Sequence, residues 1–371
     1  MSKAKKKTLP KAFGDLLTAG DLEALKAVFD TCELEARGGY GKQTALAFND
    51  APEPLIRWLV EQGADLEALD SYGRTPLYHH AGAWNGKVAL LLELGADIHA
   101  TDRSGDTPLH RATASGKAEA VRLLLARGAR ADARNGAGLT PLELGLRQCS
   151  NIQIVSMADI APLLLAATPA AKPGLLDRLK GAFSGGASGS PVTPDMQAAV
   201  TRIGENFEFH RASFNPDSVD EFSDALDRLY APFDVTPVAR RRMHDGKAPI
   251  LVPPGKPADQ HDALWQALVP SSGAAKTVQG EVIRIAGRIT DEVERNGGVN
   301  WDADYRKMGQ AFLDHTATGA PLGDADRARA AVLIREARTR DGAGAELCDL
   351  AVRWVALNPT PMPLATPDYR R

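Results

Sequence analysis

Apolar residues recur at helical spacing along this chain, in two styles. In the second half the runs are long. Val219, Phe222, Leu226 and Leu229 return every three or four positions and predict a helix over Val219–Tyr230. Val278, Val282, Ile285, Ile289 and Val293 predict another over 277–295, ended by Asn296-Gly297-Gly298, a left-handed stop. Further helices are expected over 302–315, 324–338 and Ala343–Leu357, the last halted by Asn358-Pro359. The stretch 231–257, with several prolines and Arg240-Arg241-Arg242, reads as loop. In the first half the apolar clusters are short, such as Val121, Leu124 and Leu125, and lie between glycines. Strand-like alternation is weak, so the pattern predicts an all-α protein.

The first half repeats itself. Thr75-Pro76-Leu77-Tyr78 returns as Thr107-Pro108-Leu109-His110 and Thr140-Pro141-Leu142-Glu143, with a degraded copy at Thr44-Ala45-Leu46-Ala47. The threonines are 31, 32 and 33 residues apart. Gly63-Ala64-Asp65, Gly95-Ala96-Asp97 and Gly128-Ala129-Arg130 recur in phase, and Gly41, Gly73, Gly105 and Gly138 precede each threonine by two or three residues. Threonine followed by proline suits the start of a helix. The hydroxyl accepts a free N–H, and proline lacks only an N–H that has no partner there. The glycine of Gly-Ala-Asp suits a helix end.

These landmarks resemble the ankyrin repeat over residues 9–168, in about five units. The resemblance implies a solenoid of helix pairs with hairpin tips at Asp70-Ser71-Tyr72-Gly73 and Asp102-Arg103-Ser104-Gly105. A cap is expected over 9–37. The last unit begins near Asn135, has a lengthened turn at Gln148-Cys149-Ser150-Asn151 and lacks a Gly-Ala-Asp, as expected of a terminal repeat facing water. Trp84 lies in an irregular segment, Tyr78 to Gly86. It either fills the groove between repeats or stands out as an aromatic anchor. His79, His80 and His110 suggest a metal less than turn chemistry, since the ankyrin pattern commonly places histidine at the position of His110.

Residues 1–8 read as a basic disordered tail and 169–194 as a linker, with a short amphipathic helix over 175–183 and then Ser184-Gly185-Gly186-Ala187-Ser188-Gly189-Ser190-Pro191. Residues 195–371 read as a separate helical-bundle domain, loosely held to the first. The formal net charge is −3, from 44 Lys+Arg and 47 Asp+Glu, so the basic excess that nucleic acid would need is missing. No apolar run reaches the ~20 residues that span a bilayer. The basic N-terminus is not followed by an apolar stretch, so no secretory signal is expected and a cytoplasmic location is. Cys32, Cys149 and Cys348 are scattered and odd in number, which suits neither a disulfide framework nor zinc.

Candidate chemistry is thin. Pro270 to Thr277 is a small-residue turn with Lys276-Thr277 that superficially resembles a phosphate loop, but lacks its glycines; Ser271 or Ser272 is expected to cap the next helix. Glu281, Arg284, Arg288 and Glu292, with Trp301, Asp302, Asp304 and Tyr305, could form an acid–base site, but such spacing more often makes ion pairs on a solvated helix face. No cofactor, metal or catalytic residue is assigned. The expected working surface is the concave ankyrin face with its tips: Arg37, Tyr40, Lys42, Asp70, Tyr72, Trp84, Asp102, Arg103, Arg134 and Asn135. This mixed-charge surface with tyrosines suits a folded protein partner. Ankyrin arrays joined to unassigned modules are familiar among bacterial toxin-neutralising (immunity) proteins and injected effectors. The resemblance therefore implies toxin neutralisation or scaffolding, or alternatively an effector or enzyme with its site in 195–371 and the repeats choosing the target.

Overall fold

The computed structural model describes residues 4–169, 191–337 and 343–369. The amphipathic helix expected over 175–183 and the run from Ser184 to Ser190 lie outside them. The chain divides into two compact units, one of 1–207 with 216–238, the other of 208–215 with 239–371.

The first unit holds the repeats. Thr75, Thr107 and Thr140 each cap a helix, accepting from the N–H of Tyr78, His110 and Glu143 at 3.2, 3.4 and 3.3 Å. The helices they open, Pro76–Ala81, Pro108–Ala114 and Pro141–Gln148, begin at proline. Thr44 lacks the following proline, makes no such cap, and opens only the single 3-10 turn Ala45–Ala47. Each first helix pairs with a second: Glu53–Glu61, Val88–Glu93, Ala118–Ala126 and Ile154–Ala167. Gly63, Gly95 and Gly128 close three of these with φ of 93, 99 and 91°, as their place in the motif predicts.

Two expectations need correction. Lys6–Thr8, read as part of a disordered tail, is a strand. It pairs in parallel with Cys32–Gly38, which pairs antiparallel with Gln43–Thr44. Lys5 Nζ reaches the Phe29 carbonyl at 2.6 Å. A small three-stranded sheet thus opens an otherwise helical protein.

The repeat ending at 168 is not the end of its unit. Helices Pro194–His210 and Val219–Tyr230 follow, and the second packs on Ile154–Ala167. Arg228 meets Asp159 at 2.8 Å, and Arg202 donates to the Arg147 carbonyl at 3.2 Å. The physical reason is Ile154–Ala167 itself, whose Ile154, Met157, Ile160 and Leu164 are all buried, too apolar to face water. The boundary expected at 195 is therefore not where the compact units divide.

The second unit is a helical bundle. Pro257–Leu268, Val278–Asn296, Ala303–Thr316, Asp324–Glu336 and Ala343–Leu357 surround a core that includes Val282, Ile285, Ile289, Phe312, Leu350 and Trp354. Thr277, not Ser271 or Ser272, caps the central helix, accepting from Gly280 N–H at 3.1 Å. Gly297 ends it with φ 60°. The segment after Leu357 returns across the bundle, held by Gln279, whose Nε2 donates to the carbonyls of Asn358 and Thr360 at 2.9 and 2.7 Å. Arg241, in the middle of the three arginines, is half-buried. It donates to the carbonyls of Phe209, Gln266 and Trp265 at 2.8, 2.7 and 3.1 Å and lies over the Phe209 ring.

Candidate partner-binding surface

Each hairpin tip is organised by the residue five places before the capping threonine. Asp70 Oδ1 accepts from Tyr72 and Arg74 N–H at 2.7 and 2.9 Å. Asp102 Oδ1 accepts from Ser104 and Asp106 at 2.8 and 3.0 Å. Asn135 Oδ1 does the same for Ala137 and Leu139, both at 3.0 Å. A short side-chain oxygen replaces the carbonyl a turn would otherwise need, which Asp and Asn supply equally well. Successive tips are then bonded backbone to backbone: Ser71 N–H to Gly41 O, Arg103 N–H to Tyr72 O, Gly136 N–H to Ser104 O, at 2.8, 3.2 and 2.7 Å.

This corrects part of the expected surface. Asp70 and Asp102 have side chains only 1% and 5% exposed, the first with His79 Nε2 at 3.0 Å and the second 3.7 Å from Arg74 Nε. Their acceptors face inward, so they build the tips rather than present them. Asn135 plays the same part and also donates to Asp106 at 2.7 Å.

The outward groups are aromatic and cationic. Tyr40 is 94% and Tyr72 40% exposed. The neighbouring Tyr40 phenol raises the Tyr72 pKa. Arg74 lies over Tyr72 at 4.7 Å and over Tyr78 at 5.4 Å, and Arg111 approaches the Tyr78 ring at 6.0 Å. Burial pushes the Tyr78 phenol up to about 12. Arg103 packs over Gly73, where an added Cβ would meet its Cγ at 3.0 Å. Arg37 donates to the carbonyls of Lys42 and Leu69. Arg134 reaches Gly138 O at 2.5 Å and Glu143 at 3.3 Å. Arg74 and Arg111 were missed from sequence; only their place beside the repeating motif could have marked them.

Trp84 lies further along the same repeat, two residues after Gly82, over which Arg111 packs. Helix Pro76–Ala81 lies between it and Tyr72 in sequence. It is 92% exposed, with Lys117 Nζ 4.9 Å from its ring centroid, so it does not fill a groove.

His79 serves the Asp70 carboxylate, and His80 and His110 serve the backbone. His80 Nε2 lies 3.0 Å from Leu46 O while its Nδ1 accepts from Lys87 N–H at 2.9 Å. His110 Nε2 reaches Leu139 O at 3.0 Å. Among the described residues, no group of three or more His, Cys, Asp or Glu is placed to hold a metal ion.

In the second unit, Glu281 and Arg284 pair as their spacing predicts, but in the core. Arg284 Nε and Nη2 donate to Glu281 at 2.9 and 2.6 Å, Tyr369 OH donates at 2.7 Å and Ala275 N–H at 3.0 Å. Burial opposes the charge, yet Arg284 and the other donors hold the Glu281 carboxyl below the usual range. Glu292 accepts from Asn300 N–H at 2.6 Å and Asn296 Nδ2 at 3.1 Å, fixing the turn after its helix. Asp302 caps the following helix through Asp304 and Tyr305 N–H. The expected solvated face is thus partly interior, and Glu281 and Arg284 do not line an open cleft. Burial pushes the Cys149 and Cys348 thiols up to about 12 and about 11, away from the reactive thiolate.

Residues 80–166 match the family model for ankyrin repeats, in three copies. No curated protein matches the chain. Ankyrin repeats are protein-interaction modules, and no described helix is long and apolar enough to cross a membrane.

Proposed function

We propose that this ankyrin-repeat chain holds a folded protein partner through the face bearing its hairpin tips and first helices, the concave face that such arrays offer. One observation carries the reading. Tyr40 and Tyr72 stand exposed on adjacent tips whose backbones are themselves bonded together. Tyrosine and arginine on a preorganised support are the usual anchors of protein interfaces. A partner in the cytoplasm of a bacterium, held either to neutralise it as a toxin or to scaffold it, is what the resemblance of a repeat array joined to a second helical unit implies. The competing reading, a catalytic site in 195–371, draws no support from Glu281 and Arg284, whose polar atoms are occupied by each other, Tyr369 and Ala275.

The test is site-directed crosslinking with a photoreactive residue at position 40 in the full chain, in native cells. A discrete protein adduct is expected, reduced at least tenfold by Tyr72→Ala, which leaves folding unchanged. An adduct unaffected by Tyr72→Ala and Arg103→Ala would remove this face from the function.

A further inference from the structure

The exposed charge on the tip face has one dominant sign, which the sequence hides. The carboxylates of Asp70 and Asp102 are turned onto backbone N–H groups, and half-buried Asp106 accepts from Asn135. Lys42, Arg103 and Arg111 remain, and among the described residues none of the three has a carboxylate partner within ion-pair distance. We infer that the partner of this face is a protein surface rich in carboxylates, docked on the strip formed by Lys42, Tyr72, Arg74, Arg103 and Arg111. The inference rests on the reading above, that this face does the recognising.

Three features support it. The first is the guanidinium geometry. Arg74 lies over the rings of Tyr72 and Tyr78 and Arg111 over that of Tyr78, at 4.7, 5.4 and 6.0 Å, so the rings restrain both guanidinium groups. A stacked guanidinium loses less freedom on binding than a loose lysine does. The second is the backbone at Lys42, which holds φ 53° where the next three repeats place Gly73, Gly105 and Gly138 at 77, 77 and 76°. An L-residue there carries a conformational cost that glycine avoids, so the cation stands at a position whose backbone favours glycine. The third separates carboxylates from nucleic-acid phosphates. A formal charge of −3 repels a long polyanion, whereas an acidic protein patch meets only the local strip.

The experiment selects binders to the immobilised full chain from a display library of one small folded scaffold with a randomised face, with no charge bias. Binders lost on Tyr72→Ala are the ones that use this strip. Their randomised faces are expected to be enriched in Asp and Glu. Their affinity is expected to fall at least tenfold with Arg103→Glu or Lys42→Glu, and to weaken between about 50 and 300 mM salt. Lys42→Gly, which relaxes the backbone, should also weaken them, so a folding defect cannot explain the loss. Strip binders with neutral or basic faces would overturn the acidic partner and leave the recognition face standing. Binders indifferent to Tyr72→Ala and Arg103→Glu, or no binder at this face, would overturn both. A single-stranded RNA oligonucleotide tested in parallel that binds the strip more tightly than the acidic scaffolds would also overturn the inference.

Discussion

Lys42 and Gly73 occupy the same place one repeat apart, each two residues before its threonine and each left-handed, at φ 53 and 77°. The left-handed basin costs a residue with a Cβ roughly 1–2 kcal/mol relative to the ordinary helical region. Glycine removes that cost but adds about 0.5–1 kcal/mol of unfolded-state freedom. Lys42→Gly is therefore expected to leave stability unchanged or raise it by up to about 1 kcal/mol. Thermal unfolding checks this. A drop of more than about 1 kcal/mol would mean that the lysine side chain, not the turn alone, holds the first tip.

His80 makes the first unit acid-sensitive. Burial is the main cause that lowers its pKa from 6.5 to about 4. Protonation would also convert Nδ1, which accepts from Lys87 N–H, into a donor facing a donor. Below pH 6.5 the unfolded chain takes up a proton that the folded chain refuses. This contribution is thus fully present above 6.5 and is lost as pH falls toward 4. At 1.36 kcal/mol per unit it amounts to roughly 3 kcal/mol. His79 and His110 are lowered too and act in the same direction. Melting temperatures at about pH 7.5 and 4.5 should differ less for His80→Gln than for the parent, although His80→Gln starts lower. Equal slopes would assign the acid sensitivity elsewhere.

Local chemistry was legible and long-range chemistry was not. Thr75-Pro76, Thr107-Pro108 and Thr140-Pro141 announce their helices because cap and proline act within one turn. Val219–Tyr230 and Ala343–Leu357 fall where apolar spacing puts them. Pro194–His210 was missed although Met196, Val200, Ile203 and Phe207 have the right spacing, because a polar linker was read up to its start. Asp70 and Asp102 read as exposed tips because nothing within the four-residue turn says which way a carboxylate faces. Glu281 and Arg284 have the same i,i+3 spacing in a core as on a surface. Tyr369, 88 residues from Glu281, helps to place them in the interior.

Trp84 should matter little for folding. With 92% of its surface exposed, Trp84→Ala leaves no cavity and removes chiefly its contact with Lys117, at 4.9 Å. An exposed cation–π pair contributes about 0.5–1 kcal/mol. Denaturant midpoints are expected to shift by no more than that. A loss of ~3–5 kcal/mol, the cost of a cavity at a core tryptophan, would restore the groove-filling role.

The Glu281–Arg284 pair offers the sharpest energetic test in the second unit. Both side chains are almost fully buried, and each satisfies the other. Removing one partner leaves a desolvated charge behind, so Glu281→Ala and Arg284→Ala are each expected to destabilise by about 3–5 kcal/mol. Replacing both with apolar residues of similar length, Glu281→Leu with Arg284→Met, removes both charges together and should cost far less than the two single changes summed. Tyr369→Phe deletes one hydrogen bond to a carboxylate that keeps its other donors, and should cost about 1.5–3 kcal/mol. Urea unfolding of the full chain, followed by tryptophan emission because Trp354 is fully buried in this core, measures all four variants. Additive single losses would show that the two groups act independently. A double variant near the parent would show that the pair contributes specificity of packing rather than net stability.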